Sequence, residues 1–267
     1  FLNNVRLNKI TFIHIDVIKV RLEECLDLSD YRNWYCIRGS NVSIEENIIA
    51  LNQEIKEICK KAGRAKDEIT LIAVTKYVTI ERTKEVVNAG VADIAENRLE
   101  GLLEKQTVHY DHPVTWHFIG NLQSRKVKGL INQIDYFHAL DRISIAKEIN
   151  KRAEKEIKCF VQVNVSGEAT KNGLKPEEVI QFIDELKAFN KIKVVGLMTM
   201  APHTRDEAII RSVFQKLRAL RDEVMNQQWE HAPCQGLSMG MSNDYQIAIE
   251  EGATHLRIGS LIVNEEG

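Results

Sequence analysis

The chain has 267 residues, 44% of them hydrophobic and 28% charged, which suits one barrel-sized domain or two smaller ones and is unlike a disordered sequence. Its 36 basic and 38 acidic side chains leave a net charge of −2, so there is no basic field and nucleic acid is not the expected partner. The most apolar stretch, residues 11–20, carries His14, Asp16 and Lys19, which rules out a bilayer span and interrupts any export signal; a cytoplasmic protein without membrane contact is expected.

Residues 1–40 read as an extension outside the folded unit. They alternate apolar residues at Ile13, Ile15 and Val17 and end in Arg38-Gly39-Ser40. The regular pattern starts at Ser43, where Glu46 three residues on completes a capping box that satisfies two otherwise free amide donors. Ile44, Ile48, Leu51, Ile55 and Ile58 follow at helical spacing, and Gly63 stops the helix. Eight short apolar runs come next, at 71–76, 93–97, 115–120, 136–141, 159–165, 194–200, 236–242 and 255–260. Helical stretches lie between them, at 143–153, at 176–189 with Pro176 in the first turn, and at 206–224. The last has Ile209, Ile210, Val213, Phe214, Leu217, Leu220 and Val224 on one side.

Eight strands each followed by a helix predict a single α/β domain over 41–267, a (β/α)8 barrel. A doubly wound open sheet is the alternative, but no Gly-x-Gly-x-x-Gly run follows the first strand, as a dinucleotide fold would require. The five cysteines, Cys25, Cys36, Cys59, Cys159 and Cys234, form no close pair, so reduced thiols are expected and a zinc or redox motif is not. His109 and His112 lack a carboxylate-histidine pattern at ligand spacing, so no metal is assigned.

Barrels gather their chemistry at the C-terminal ends of their strands. In Leu71-Ile-Ala-Val-Thr-Lys76, alternation puts Ile72, Val74 and Lys76 on one face. The lysine becomes the top rung of an apolar ladder, with a partly desolvated ammonium able to release an amine for a carbonyl. The alternative is a lysine whose stem covers apolar surface while its charge reaches water. At the other end of the chain, Gly240-Met241-Ser242 closes the seventh strand and Arg257-Ile258-Gly259-Ser260 the eighth, the two loops where such barrels commonly hold phosphate. Gly259 allows close backbone approach, and Ser242 and Ser260 offer hydroxyls or serve as helix caps. Asp244 would repel an anion unless turned away. A lysine Schiff base facing a phosphate clamp describes a pyridoxal 5′-phosphate (PLP) site or a Schiff-base aldolase for a sugar phosphate, and these residues do not choose between them.

The chain from about 42 to 262 resembles the YggS/PROSC family of pyridoxal phosphate homeostasis proteins. The likeness lies in Leu71-Ile-Ala-Val-Thr-Lys76, Glu96-Asn97-Arg98, Trp116-His-Phe-Ile-Gly-Asn-Leu-Gln-Ser-Arg-Lys126, Gly196-Leu-Met-Thr-Met200, Leu237-Ser-Met-Gly-Met-Ser242 and Arg257-Ile-Gly259. The resemblance implies a barrel like the N-terminal domain of alanine racemase, PLP on Lys76, and a role in holding or delivering the cofactor. It implies phosphate binding by Ser242, Gly259 and Ser260, and Arg257 facing the pyridine nitrogen. A permanently cationic guanidinium leaves that nitrogen unprotonated and the ring a poor sink for carbanion charge. Asn97 and His117 sit near strand ends, where each lines the pocket or bonds within the structure; Asn97 is assigned to the cofactor. Met198 and Met200 are expected to pack. The sequence departs from the family pattern at Ala95, where Gly is usual, at Ser260, where Thr is common, and at Val263-Asn264, where Phe-Gly normally follows.

Two classes of function remain. A carrier holds PLP and exchanges it with PLP-dependent apoenzymes as a monomer without substrate turnover. An amino-acid racemase needs a base on each face of Cα. In the racemase family the base opposite the lysine is a tyrosine from a separate β domain, for which the seven residues after Ser260 leave no room, so the carrier is preferred.

Overall fold

The computed structural model describes residues 42–168 and 171–263; the expected extension and Asn264 lie outside these limits. One compact unit begins at Ser43. Helix α1 (Ile44–Lys61) opens it, with the expected capping box: Glu46 N–H donates to Ser43 Oγ at 3.2 Å and Ser43 N–H to Glu46 Oε2 at 2.9 Å. Its buried face carries Ile44, Ile48, Leu51 and Ile55, while Ile58 is only partly covered and Cys59 is buried beside it.

Eight strands follow, β1 (Thr70–Val74), β2 (Asp93–Glu96), β3 (Thr115–Phe118), β4 (Tyr136–Leu140), β5 (Ile157–Gln162), β6 (Ile192–Met198), β7 (Gly236–Ser238) and β8 (His255–Ile258). Each pairs with the next in parallel, and β8 returns to β1, closing the barrel. The surrounding helices are α2 (Ile80–Asn88), α3 (Leu99–Gln106), α4 (Val127–Leu130), α5 (Ile143–Arg152), α6 (Val179–Glu185), α7 (Glu207–Met225), α8 (Tyr245–Glu250) and α9 (Ser260–Val263). The eight strands and the barrel predicted from the pattern of runs are therefore present. Near-continuous apolar runs follow from this architecture, because both faces of a parallel strand are covered.

Three expectations shift. Each ladder stops between one and four residues before its run ends, because the closing residues peel away towards the βα loops at the barrel mouth; Lys76, Asn97, Ser242 and Ser260 all lie past the last paired residue. The helix expected at 176–189 is a short α-helix flanked by 3₁₀ turns. Ile209 is 46% exposed, since the spacing of Ile210, Val213, Phe214, Leu217, Leu220 and Val224 turns it out of the buried stripe of α7.

Most of the apolar core lies between the sheet and the helices. Inside the barrel a separate small group of Ile72, Val74 and Ala95 packs with Ile119. Around it the interior is polar and aromatic: His117, His138 and Ser238 are fully buried, and Phe160 stacks on His138 with ring centres 4.5 Å apart. Barrel interiors are usually filled with branched aliphatic side chains, so this filling is unusual.

Candidate functional site

The end of β1 is tied down by a buried cluster. Thr75 Oγ donates to Glu96 Oε1 at 2.7 Å, and Lys105 Nζ reaches both that oxygen, at 2.5 Å, and the Thr75 carbonyl, at 2.6 Å. Thr75, Glu96 and Lys105 are all almost inaccessible to solvent. Lys76 is the next residue, and it is exposed. The expected desolvation of its ammonium is thus not found. The pleat ends at Val74, Thr75 N–H still donates to the Ala95 carbonyl at 3.1 Å, and the chain then turns through Tyr77, whose left-handed backbone with φ of 72° is uncommon outside glycine. Tyr77 is 66% exposed, and its ring receives Lys76 Nζ at 5.7 Å and the Arg98 guanidinium at 5.4 Å.

Barrel closure sets the partners of this turn. Ala73 pairs with Ile258, so the next rung brings Val74 against Gly259; a Cβ on Gly259 would lie 3.4 Å from the Val74 carbonyl oxygen. Gly259 and exposed Ser260 therefore stand beside the strand end that leads to Lys76. The β7 loop is joined to them through Arg257 N–H, which donates to Gly240 O at 3.0 Å. Ser242 follows in that loop, half-buried. Asp244 is turned inward: Oδ1 accepts the Met241 N–H at 2.6 Å, and burial pushes its carboxyl above the usual range, opposed by that bond and by Arg257. Asp244, not Ser242, stands at the N-cap of α8, so the hydroxyl is not a helix cap. With only six and four residues in α8 and α9, glycine, hydroxyl and loop amides rather than helix dipoles form this part of the mouth.

Arg257 is no surface ion pair. It is 5% exposed, with Nη1 donating to Ser238 Oγ at 2.6 Å and Nη2 to Thr199 O at 3.0 Å. Burial pulls its pKa down to about 10, with Asp244 opposing, so the guanidinium stays charged at neutral pH. Asn97, half-buried, directly follows β2; its carbonyl oxygen would be 2.2 Å from a Cβ on Gly120, so only glycine fits there. These residues fit a ligand with an electrophilic carbonyl at one end and an anion at the other: an accessible amine just past β1, hydroxyls and amides just past β7 and β8, and a fixed cation on β8.

The family model described as "Alanine racemase, N-terminal domain" matches residues 47–266. A pyridoxal phosphate homeostasis protein of Aquifex aeolicus is 39% identical over 223 residues, covering 82% of this chain and 97% of the relative. The chain belongs to the pyridoxal phosphate homeostasis protein family. A member from Pseudomonas aeruginosa is 34% identical, covering 82% of this chain and 94% of its own. Among solved structures, PipY of Synechococcus elongatus PCC7942 with PLP bound is similar at 27% identity and a TM-score of 0.72, over 83% of this chain and 100% of that one. An alanine racemase of Clostridium difficile 630 shares the fold at 15% identity and a TM-score of 0.67, over 82% of this chain and 56% of the racemase.

In this homeostasis-family barrel the strand-end residues picked out by the sequence, Lys76, Asn97, Ser242, Gly259 and Ser260, come out at the mouth, with Arg257 buried below them. His117 does not line the mouth; it is fully buried inside the barrel. Met198 packs as expected, but Met200 is 37% exposed. Sequence reasoning missed Thr75, Lys105 and Ser238. The signal for Lys105 was indirect: an acid closing a strand run, Glu96, needs a partner once buried, and a lysine nine residues on lies on the next helix. Among the described residues no helix is long and apolar enough to cross a membrane.

Proposed function

We propose that this protein binds PLP across the C-terminal mouth of its barrel, covalently through Lys76, and serves intracellular vitamin B6 homeostasis as a cytoplasmic carrier without substrate turnover. The observation that carries the reading is the closure of the barrel, which sets the strand end bearing Lys76 directly beside Gly259, Ser260 and the buried Arg257. The names of the relatives and the PLP in the PipY structure support it.

When bound, PLP supplies an aldehyde for an amine to condense with and a ring that withdraws electrons. Lys76 Nζ is the amine. Ser242, Gly259 and Ser260 hold the phosphate through hydroxyls and main-chain amides, and Asn97 bounds the site at β2. Arg257 donates a hydrogen bond to the ring nitrogen and keeps its own protons, so that nitrogen stays unprotonated and gains little capacity for carbanion charge. A racemase would need a second acid–base group facing Lys76. Tyr77, the tyrosine beside the amine, has its ring against Lys76 Nζ in the same turn and so stands on the lysine's own side of the mouth. An exposed amine at an open mouth suits uptake from solvent and release to apoenzymes.

Borohydride treatment of PLP-loaded protein followed by peptide mapping should place the pyridoxyl group on Lys76. A label on another lysine, or none in saturated protein, refutes the assignment. Amino-acid racemisation by purified protein that disappears in Lys76→Ala would overturn the carrier role.

A further inference from the structure

Below Arg257, polar side chains continue through the barrel interior. Ser238 Oγ lies 2.9 Å from His138 Nδ1, His138 Nε2 is 2.8 Å from His117 Nδ1, and His117 Nε2 is 2.9 Å from Asp93 Oδ1. The chain crosses from β8 through β7, β4 and β3 to the first residue of β2, at the end of the barrel opposite the mouth, where the Asp93 side chain is 27% exposed. Tyr136 stacks on His117 with ring centres 4.5 Å apart and planes 8° from parallel, and Phe160 covers His138, so both imidazoles are held in plane.

The proton inventory gives this chain one direction. A guanidinium only donates and a carboxylate only accepts. Asp93 only accepts, so with both rings neutral the order is set from that end: His117 presents a bare Nδ1 to His138, His138 presents a bare Nδ1 to Ser238, and the serine gives it its proton while accepting from Arg257. His138 then carries its proton on Nε2 and gives it to His117 Nδ1, and His117 carries its proton on Nε2 and gives it to Asp93. This requires a neutral His138, and burial holds that ring well below the usual histidine range, with His117, Arg257 and His255 acting in the same sense. Among the described residues, other charged or titratable groups nearby include His255, bonded to Thr254 Oγ, Lys158 over the Tyr136 ring, Asp135, which binds Lys155 and the Trp116 amide and feels His117, and Asp244, which binds the Met241 amide.

We propose that Ser238, His138, His117 and Asp93 are positioning residues for Arg257, forming a one-way hydrogen-bond chain that aims the guanidinium and couples it to a carboxylate at the far end of the barrel. The proposal rests on the reading of Arg257 as the group facing the PLP ring. Retention of PLP at the mouth then depends on Asp93 at the base.

Two measurements test it. Imidazole nitrogen NMR of histidine-labelled protein should show His117 and His138 as Nε2–H tautomers with bare Nδ1; an Nδ1–H form of either ring overturns the chain whether or not PLP binds. Asp93→Asn keeps an acceptor for His117 but removes the charge. It should weaken PLP retention about 5-fold or more and move the visible absorbance band. Ser238→Ala should do the same, and the double variant should be no worse than the poorer single, since a severed chain cannot be cut twice. Unchanged retention in Asp93→Asn, or additive losses in the double variant, overturns the positioning role while leaving PLP binding intact. Failure of the parent protein to retain PLP overturns the cofactor reading and the positioning role together, but leaves the tautomers to decide the chain.

Discussion

Replacing Lys105 with methionine keeps the apolar stem and removes the ammonium beneath the β1 turn. The Lys105 and Glu96 side chains are 5% and 3% exposed, so the substitution strands a buried carboxylate and leaves the Thr75 carbonyl with the Val78 amide as its remaining donor. Removing one partner of a buried ion pair costs roughly 3–5 kcal/mol. With a urea dependence of about 3 kcal/mol per molar, the upper end for a small protein, the midpoint should fall by about 1–1.7 M. Adding Glu96→Gln removes the stranded charge, and the amide oxygen can still accept from Thr75 Oγ. The double variant should therefore recover about half of the loss or more, appearing as a favourable coupling in the double-mutant cycle. Because Thr75 precedes Lys76, borohydride labelling of Lys76 should weaken in Lys105→Met and return in the double variant. A midpoint within about 0.3 M of the parent, or strictly additive costs, would refute the view that this pair holds the turn.

Burial keeps His255 near a pKa of about 3 and His138 well below 6.5, so both rings stay neutral in the folded protein while the unfolded chain takes up protons near pH 6.5. The unfolded state binds more protons below that pH, so stability should fall on acidification from about pH 6.5 towards 3, by up to about 1.4 kcal/mol per pH unit for each ring. Urea midpoints that stay level between pH 7 and 5 would contradict this. Gly120→Ala drives a methyl to 2.2 Å from the Asn97 carbonyl oxygen; it should cost about 1–3 kcal/mol and loosen PLP by displacing the end of β2. A variant with the parent's thermal midpoint and visible spectrum would show that the backbone yields there.

The eight strands could be read from the chain because each is an apolar run buried on both faces and bounded by helical periodicity. Their C-terminal limits could not, since a ladder ends where the neighbouring strand stops offering partners, and that depends on register. Alternation carried past Val74 put Lys76 on the inner face. Alternation could not tell how far the lysine is covered, since that depends on how the turn after it, with left-handed Tyr77, leaves the mouth open. Gly259, Ser242 and Arg257 stand out in sequence through their place near the last two strand ends and through family motifs. Ser238 and His138 are 100 residues apart and meet only because the sheet closes, and Asp93 looks like an ordinary strand-opening acid until His117 is found against it.

The separation of the apolar shell from the polar lumen has a bearing on how this scaffold can be altered. Cohesion comes from the layer where strands meet helices, whereas the lumen contributes one small aliphatic plug and is otherwise given over to dipoles and rings. Exchanging lumen side chains of matched size and hydrogen-bonding capacity should change what the mouth can grip without dissolving the fold, whereas a single methylene deleted from the shell at Leu217 or Ile183 strikes the part that keeps the molecule folded.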